Sequence, residues 1–371
     1  MSDYKKKVED VAGIVREQAS RVDELGEFPR RSMEALGQSG LLGLVSATKV
    51  GGLGEGPRAA AFTVERIARE CGSTAMVLCM HYCGTHVLET FGPESVLRDI
   101  AAGKHLSTLA FSEAGSRSQF WAPVSTAERK NGNVLLSAKK SWVTSAHHAD
   151  AYVWSSRPIS AEGPSTIWFV PRDTKGVEAT GSFNGLGLRG NDSTPVKAEN
   201  ASVSSDNMLG QDGKGLDIML GTVLPIFNVL TASVSVGLME GATQAAAKHA
   251  AGTSFEHSGS SIAELPTVRA YLARMRIATD QARCLVADTV DAMEKGREDA
   301  MLRVLECKAA AGESATQVLD LAMRVCGGAA FRKEIGVERR FRDGRAGTVM
   351  APTTDQLYDF IGKAICGLPV F

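Results

Sequence analysis

Two short stretches of the sequence carry the residue types that a flat, redox-active ring needs. Residues 111–116 (FSEAGS) form a turn of small residues after a short apolar run, and residues 140–145 (KSWVTS) end a β-branched run with an aromatic ring and hydroxyls. Such a ring packs against an aromatic or apolar wall and meets hydroxyl or backbone donors at its polar edge. The two stretches therefore predict a cofactor site. The alternative is a strand, a turn and a strand with one tryptophan in the core.

A third motif is glycine-rich. Residues 185–190 (GLGLRG) match the G-x-G-x-x-G pattern of dinucleotide-binding loops. That interpretation requires a strand before the glycines, a helix after them and a parallel sheet around them. Here the motif is followed by the turn-forming residues 191–195 (NDSTP), which lead into a strand. We therefore predict a glycine-rich loop between two β-strands.

A basic cluster follows the last long helical pattern and contains Arg339, Arg340, Arg342 and Arg345. Arginine binds phosphates through paired donors, so one interpretation is a phosphate site. The other is a solvated, charged turn. The sequence leaves both open.

Cysteine usage bears on metal binding and on the redox compartment. Cys79, His81 and Cys83 have ligand-like spacing, but the pattern lacks the second pair of ligands of a structural zinc site, so we expect no metal. The seven cysteines are an odd number and lie mostly in alanine-rich, helix-like surroundings. Reduced, buried thiols are typical of cytoplasmic proteins, and we expect a cytoplasmic location.

Size and charge exclude several classes of function. The chain has 371 residues, and its formal net charge of −1 gives no electrostatic basis for binding nucleic acid or an anionic membrane. No apolar run approaches the roughly 20 residues of a membrane-spanning helix. A chain of this length divides into two or three subdomains.

Three regions of different character must position the candidate residues. Residues 1–105 carry apolar residues at helical spacing, residues 106–215 carry short β-rich runs between turns, and residues 216–371 return to helical spacing. The β-rich runs predict an antiparallel barrel or sandwich. The later patterns, with residues 327–328 as a helix cap, predict a four-helix bundle. The fold class is therefore α+β and mostly α, with an N-terminal helical domain, a central β-domain and a C-terminal four-helix bundle.

Several blocks, in order and at matching spacing, resemble the acyl-CoA dehydrogenase family over nearly the whole chain. Residues 111–118 resemble its T-E-P-x-x-G-S-D turn, and residues 140–144 resemble its K-x-W-I-T segment. Residues 327–330 resemble its GG-x-G block, with Ala330 in place of the last glycine, and residues 337–343 resemble its V-E-R…R-D block.

The resemblance implies FAD held between the β-domain and the C-terminal bundle, an acyl thioester of CoA or of a carrier protein as substrate, and a homotetramer or dimer. Ser112 would meet the pyrimidine edge of the flavin and Ser118 its pyrophosphate, while Trp142 would contact the isoalloxazine ring. The cofactor contacts that we expect are Phe111, Ser112, Ser118, Trp142, Thr144, Arg324, Gly327, Gly328 and Thr353.

The sequence departs from the family where the catalytic base should stand. In family dehydrogenases a glutamate removes the α-proton of the thioester while flavin N5 takes the β-hydride, and a positioned base is worth roughly 10²–10⁴-fold in rate. Counting on from the R-D block places Ala351 at that glutamate, and the base position of other members falls near Phe227. Neither side chain accepts a proton. The catalytic residue is therefore unknown, and Glu240 and Asp355 are candidates because they lie near these segments.

A second departure concerns the cofactor. The family's R-x-x-F-G segment reaches the FAD of a neighbouring subunit, and it appears here as residues 255–259 (FEHSG) without the arginine. Arg324 replaces the glutamine that precedes the GG-x-G block. The resemblance therefore implies an altered site for the adenine half of FAD, in which Arg324 would compensate at a phosphate.

Three functions follow. The first is an FAD-dependent oxidoreductase that transfers a hydride from an acyl thioester to flavin N5 and passes electrons to an electron-transfer flavoprotein. The second is a flavin-dependent monooxygenase of the same fold, using O2 and reduced FAD or FMN from a separate reductase. Pro352 and residues 361–369 agree with the C-terminal pattern of such enzymes. The third is a flavin-binding homologue without catalysis.

Overall fold

The computed structural model describes residues 3–117 and 119–370, and the chain begins with a helical region. Its central helix, α4, is apolar on all sides rather than on one face, and most of its residues are buried. It packs against α3, against the first strand and against a long helix of the third region. The five helices are α1 (Asp3–Leu25), α2 (Arg30–Gln38), α3 (Pro57–Ala68), α4 (Gly72–Phe91) and α5 (Glu94–Ala101).

Among the residues that the structure describes, eight strands follow and form two four-stranded sheets, in the orders β1-β4-β5-β8 and β2-β3-β7-β6. Alternating apolar residues of β3 and β7 meet large aromatic residues of β4 and β5, such as Trp154 and Trp168, in a core between the sheets. The strands are β1 (Ser107–Ala110), β2 (Thr126–Lys130), β3 (Asn133–Val143), β4 (Ala151–Ser156), β5 (Thr166–Pro171), β6 (Val177–Ala179), β7 (Thr194–Ser204) and β8 (Met208–Leu209).

One strand pair differs from the predicted antiparallel arrangement. β1 pairs with β4 in parallel, whereas the other named pairs are antiparallel. After β1 the chain leaves its sheet, builds β2 and β3 of the other sheet, and returns in the original direction. A parallel pair requires such a crossover connection, which the local sequence of either strand does not reveal.

The third region is helical. Its three long helices pack on one another, and three short helices, which the sequence analysis did not predict, follow residues 327–328. The chain breaks near Gly344 and again at Pro352, which has no N–H to continue a helix. The helices are α6 (Gly215–Ile218), α7 (Leu224–Gly252), α8 (Pro266–Lys295), α9 (Ala300–Cys326), α10 (Val337–Gly344), α11 (Ala346–Val349) and α12 (Thr354–Ile365), with a π-helical turn (Met219–Val223) between α6 and α7.

This order of regions confirms the predicted fold class. Gly327 ends α9 with a φ of 55°, which confirms the predicted cap. The sequence analysis expected no apolar run of membrane-spanning length. The continuous helical stretch Gly215–Gly252 is nevertheless apolar and long enough to cross a membrane. Its most apolar window is 72% buried inside the protein, as expected for a core helix.

Candidate active site

A cavity of about 630 Å³ lies where the three regions meet. The β-region contributes its polar and aromatic wall. The helices contribute an apolar end from α4, from the start of α7 and from the segment around α11. A mainly apolar cavity of this size with a few polar groups is typical of a small-molecule site. The residues of the apolar end include Met76, Met80, Val223, Leu224, Phe227 and Met350.

Trp142 forms part of the cavity wall because β3 carries an irregularity. The pairing of β3 with β7 shifts register between Lys140 and Val143, and Trp142 has a φ of 57°. Such a bulge redirects a side chain relative to the alternation of the strand. The indole is therefore 71% exposed and lines the cavity. The alternative of a core tryptophan is wrong.

The two predicted stretches come together at this wall. The N–H of Ser141 donates to the carbonyl of Ser112 at 2.9 Å, and this bond joins the turn after β1 to the end of β3. Thr144 lies on the same wall, and its Oγ1 is 3.0 Å from Oγ of Ser193. Phe111 is buried beside them and also lines the cavity. These residues offer an aromatic wall and hydroxyl groups, as the sequence predicted.

A buried ion pair supports this wall from behind. Nζ of Lys140 lies 2.6 Å from Oε1 of Glu113 and also donates to the carbonyl of Ser155 at 2.7 Å. Glu113 accepts further bonds from the N–H groups of Val124 and Ser125. Burial raises the pKa of Glu113, but Lys140 and these donors outweigh it, so the pKa lies below the usual range. Glu113 is therefore a bound anion and not a free base.

The glycine-rich motif is a loop between β6 and β7, as predicted, and it forms another part of the wall. A Cβ on Gly187 would lie 2.4 Å from the backbone of Arg342, so only glycine permits this close approach to α10. The N–H of Leu188 donates to Oδ1 of Asp343 at 2.6 Å. Burial raises the pKa of Asp343 to about 6, although Leu188 opposes that rise.

Neither interpretation of the basic cluster is correct, because most of its side chains are occupied by the protein itself. Arg339 donates to the carbonyl of Glu70 at 3.1 Å, and Arg340 donates to that of Arg69 at 2.8 Å. Arg342 lies 2.5 Å from Asp23, on α1. α10 therefore joins the first region, the loop of the β-region and the bundle.

The two positions to which the resemblance assigns a base line the cavity, and both side chains are apolar. Ala351 follows α11, and Phe227 lies in the first turns of α7. Glu240, in contrast, lies outside the cavity lining, and its carboxylate binds Arg276 and Arg283, each at 2.7 Å. Burial raises its pKa, but the two guanidinium groups outweigh that and bring the pKa to about 2. Glu240 is therefore wrong as a candidate base.

The remaining predicted residues lie apart from the cavity wall. Asp355 is exposed in the first turn of α12, and Thr353 caps that helix through a 3.3 Å bond from the N–H of Gln356. Arg324 donates to the hydroxyl of Tyr271 at 2.6 Å. Gly327 and Gly328 follow it at the exposed end of α9. Within one chain these residues are not brought to the wall formed by Ser112, Trp142 and Thr144, and Ser118 lies outside the described residues.

Lys308 on α9 is a buried group that the sequence analysis missed. Its Nζ donates to the carbonyls of Gly347, Met350 and Pro352, at 3.4, 3.0 and 2.7 Å. These carbonyls belong to the segment that carries Ala351. Burial lowers the pKa of Lys308 to about 7, and no carboxylate pairs with it among the described residues. A Cys-Lys-Ala context inside a helix gives no signal of this tertiary role.

His81, with its metal-like spacing, has a structural role. One ring nitrogen lies 3.0 Å from the carbonyl of Leu42, and the other lies 3.1 Å from the N–H of Ser107. Burial lowers the pKa of His81 to about 4, so the ring is neutral. Over residues 3–117 and 119–370, no group of three or more His, Cys, Asp or Glu side chains is arranged to hold a metal ion.

Family models match almost the whole chain in three consecutive parts. Residues 5–103 match the N-terminal domain of acyl-CoA dehydrogenase, residues 108–201 match its middle domain, and residues 213–366 match its C-terminal domain.

Individual proteins agree with these matches. The chain is 27% identical over 335 residues to the probable acyl-CoA dehydrogenase YngJ of Bacillus subtilis (strain 168). The aligned region covers 88% of this chain and 87% of that protein. Butyryl-CoA dehydrogenase from Megasphaera elsdenii has the same fold, with a TM-score of 0.91, 20% identity and coverage of 99% and 98% of the two chains. The FAD complex of PigA also has it, with a TM-score of 0.90, 17% identity and coverage of 98% and 96%.

Proposed function

The chain belongs to the acyl-CoA dehydrogenase family, and from this we propose that it is an FAD-dependent oxidoreductase that oxidises an acyl thioester of CoA or of a carrier protein. One observation carries the proposal. A single cavity is lined by Trp142, Thr144 and Ser112 on one side and by an apolar end on the other. The first side suits a flavin ring, and the second suits an acyl chain.

The residues present fit FAD. Trp142 would pack against the isoalloxazine ring, and the half-buried hydroxyl of Ser112 would bond its polar edge. Thr144 Oγ1 shares one bond with Ser193 and retains capacity for a second. Bound FAD supplies the two-electron acceptor of the reaction. The family resemblance and these contacts support FAD, and nothing in them favours FMN.

The chain's own side chains orient the substrate and exclude water. Met76, Met80 and Phe227 would pack against the acyl chain and hold its reacting carbons near the flavin wall. Removing water from this end strengthens the electrostatic interactions that act on the substrate. Proton removal is the step for which these residues offer no conventional partner, because Ala351 and Phe227 carry no base.

The second candidate function, a flavin-dependent monooxygenase, is supported by this lack of a base at Ala351 and Phe227. Among the described residues that line the cavity, Glu113 is the only carboxylate, and Lys140 neutralises it. Chemistry with reduced flavin and O2 needs no base at the substrate α-carbon. A dehydrogenase without the base would instead require a substrate whose α-proton is unusually acidic.

Anaerobic reduction of the FAD-loaded protein separates these functions. A panel of acyl thioesters, on CoA and on pantetheine, is added without oxygen, and the flavin absorbance near 450 nm is followed. Bleaching by a thioester supports the dehydrogenase. Bleaching only by a reductase, followed by oxygen-dependent substrate hydroxylation, supports the monooxygenase. No turnover in either arm leaves a flavin-binding homologue and refutes the proposed function.

The proposal extends to assembly, electron acceptor and compartment. A homo-oligomer, either a tetramer or a dimer, would cover apolar side chains that the C-terminal region exposes, such as Phe331, Ile277 and Ile365, which are 83%, 57% and 71% exposed. An electron-transfer flavoprotein would accept electrons at the exposed Trp142 side of the cavity, and a flavin reductase would replace it in the monooxygenase. The seven free cysteines support a cytoplasmic location.

A further inference from the structure

A lysine behind the apolar end of the cavity holds the segment 347–352 through its backbone. Nζ of Lys308, on α9, donates to the carbonyls of Gly347, Met350 and Pro352 at 3.4, 3.0 and 2.7 Å. A protonated lysine carries three N–H donors and no acceptor, so the three carbonyls match its full donor capacity. A neutral amine has one donor fewer and would leave one carbonyl without a partner. The contacts therefore suit the charged form of the side chain.

The segment that this lysine holds is itself part of the cavity wall. The side chains of Val349, Met350 and Ala351 line the cavity, whereas Lys308 lies behind them and is only 1% exposed. Met350 thus presents its side chain to the cavity and its carbonyl to the ammonium group. The segment contains the end of the single turn of α11 and the connection to α12, so regular secondary structure fixes only part of it.

We propose that Lys308 is a positioning residue for substrate binding, because its ammonium group fixes residues 347–352 as a wall on which the acyl chain of the thioester packs. Loss of the proton removes the charge and one donor, so the wall is held less firmly and the acyl chain binds more weakly. By linkage, a bound acyl chain in turn favours the protonated lysine. The inference rests on the proposed function for the nature of this ligand.

Lys308 titrates within an accessible range of pH. Burial lowers its pKa from 10.5 to about 7, and Cys307 opposes this shift. Cys307 is the one titratable side chain of the described residues whose charge acts on the lysine. Burial raises the pKa of that thiol to about 12, so the thiol stays neutral where the lysine titrates.

Among the described residues, the helices packed around this lysine direct no free charge at it. The facing part of α7, residues 224–239, carries no charged side chain, and neither does α11. Asp288 of α8 and Glu306 of α9 both bind Arg303. Asp355, in the first turn of α12, is exposed. A pH-dependent ligand affinity that disappears when the lysine is replaced therefore reports its protonation.

Binding of a thioether to the FAD-loaded protein tests the inference. S-Hexylpantetheine presents an acyl-like chain, cannot be oxidised as a thioester, and has no group that titrates between pH 6 and pH 9. In calorimetric titration at pH 6, Lys308→Met should bind it about tenfold more weakly than the wild type. The wild-type affinity should itself fall by about tenfold towards pH 9, where the lysine is neutral, so that the two proteins become alike. FAD affinity of the apoprotein should stay within about twofold in Lys308→Met, because the flavin wall is separate from this segment.

The sign of the pH effect separates this role from a merely structural one. The neutral lysine makes the folded protein more stable as the pH rises from 7 to 9, because the unfolded chain keeps the proton. Ligand affinity that followed stability would rise over this range, whereas the inference requires it to fall. Lys308→Arg keeps charge and donors and should retain tight binding at pH 9. Lys295→Met removes an exposed lysine bound to Asp291 and should behave as the wild type throughout.

Hydrogen exchange tests the segment without any ligand. At pH 6 the amides of residues 347–353 should exchange about tenfold faster in Lys308→Met than in the wild type, with those of β3 unchanged. Equally faster exchange in both places would show a global loss of stability and would count against a local role.

A wild-type affinity for S-hexylpantetheine that is constant from pH 6 to pH 9 overturns the inference, and so does an equal loss of FAD affinity in Lys308→Met. A wild type that binds neither S-hexylpantetheine nor hexanoyl-CoA refutes the proposed function instead. Hydrogen exchange then still decides the inference, because equal exchange of residues 347–353 in both proteins overturns it and selectively faster exchange in Lys308→Met supports it.

Discussion

Replacing Lys308 by methionine should change how the stability of the protein depends on pH. Methionine has a similar length but carries neither charge nor donor. The three backbone carbonyls that Nζ contacts all belong to the segment 347–352, which forms part of the cavity wall. The ammonium group is therefore a desolvated charge that lies directly behind the apolar end of the cavity, where we propose that the acyl chain binds.

The sign of the effect follows from the two pKa values of this lysine. Burial lowers the pKa of Lys308 from 10.5 to about 7 in the folded protein, whereas the unfolded chain keeps the higher value. Between these pH values the unfolded state binds more protons, so the free energy of unfolding rises with pH. The slope is at most about 1.4 kcal/mol per pH unit, which gives about 2 to 3 kcal/mol between pH 7 and pH 9.

The measurement is urea unfolding at pH 7, 8 and 9, followed by circular dichroism. The free energy of unfolding of the wild type minus that of Lys308→Met should increase by about 2 to 3 kcal/mol across this range. Taking the difference removes other groups that titrate there, such as Lys140, whose pKa burial lowers to about 8 although Glu113 opposes it.

Two variants control for charge and position. Lys308→Arg stays protonated throughout, so its stability should show the flat dependence of the methionine variant. Lys295→Met removes an exposed lysine that binds Asp291 on the surface, and should keep the slope of the wild type. A wild-type minus Lys308→Met difference that is constant from pH 7 to pH 9 would refute the assignment of a desolvated, titrating lysine behind the cavity.

Three further predictions concern the cavity itself. Trp142→Ala should weaken flavin binding about tenfold, because the ring loses its aromatic wall, and unchanged flavin retention in equilibrium dialysis would contradict this placement of the site. If the substrate α-carbon lies beside residue 351, Ala351→Glu should raise the rate of flavin bleaching by a saturated acyl-CoA by up to about 10²-fold. Stopped-flow absorbance measures this rate. Glu240→Gln should lower the melting temperature, because it weakens the bonds to Arg276 and Arg283. The rate of flavin reduction should stay within about twofold of the wild-type rate. A larger fall in that rate would make Glu240 a candidate base again.

Much of the fold could be predicted because its signals are local. Helical spacing, β-branched runs and the cap at Gly327 each depend on a few neighbouring residues, and the structure follows them. The parallel pairing of β1 with β4 was missed because it depends on the path of the chain through both sheets. The short helices α10, α11 and α12 were not predicted for a related reason, since they are stabilised by packing on α9.

The site was predicted in part. The turn with Ser112 and the strand end with Thr144 were placed together correctly, because each carries its own motif. The outward direction of Trp142 depends on a bulge, and no single residue encodes it. Glu240 was misplaced because closeness in sequence to the cavity says nothing about which face of α7 a side chain occupies. Its face meets the arginines of α8 instead.

The contacts of α10 have a consequence for how ligands enter. Through Asp343, Arg342 and Arg339 this short helix bonds to the loop of the β-region, to α1 and to the connection between α3 and α4. Hinge motion of the β-region would break several of these buried bonds together, so the regions behave as one mechanical body. We therefore expect ligand exchange to depend on side chains that line the cavity, such as Phe183 and Trp142. A nick in the connection near residues 210–215 should leave the fragments associated.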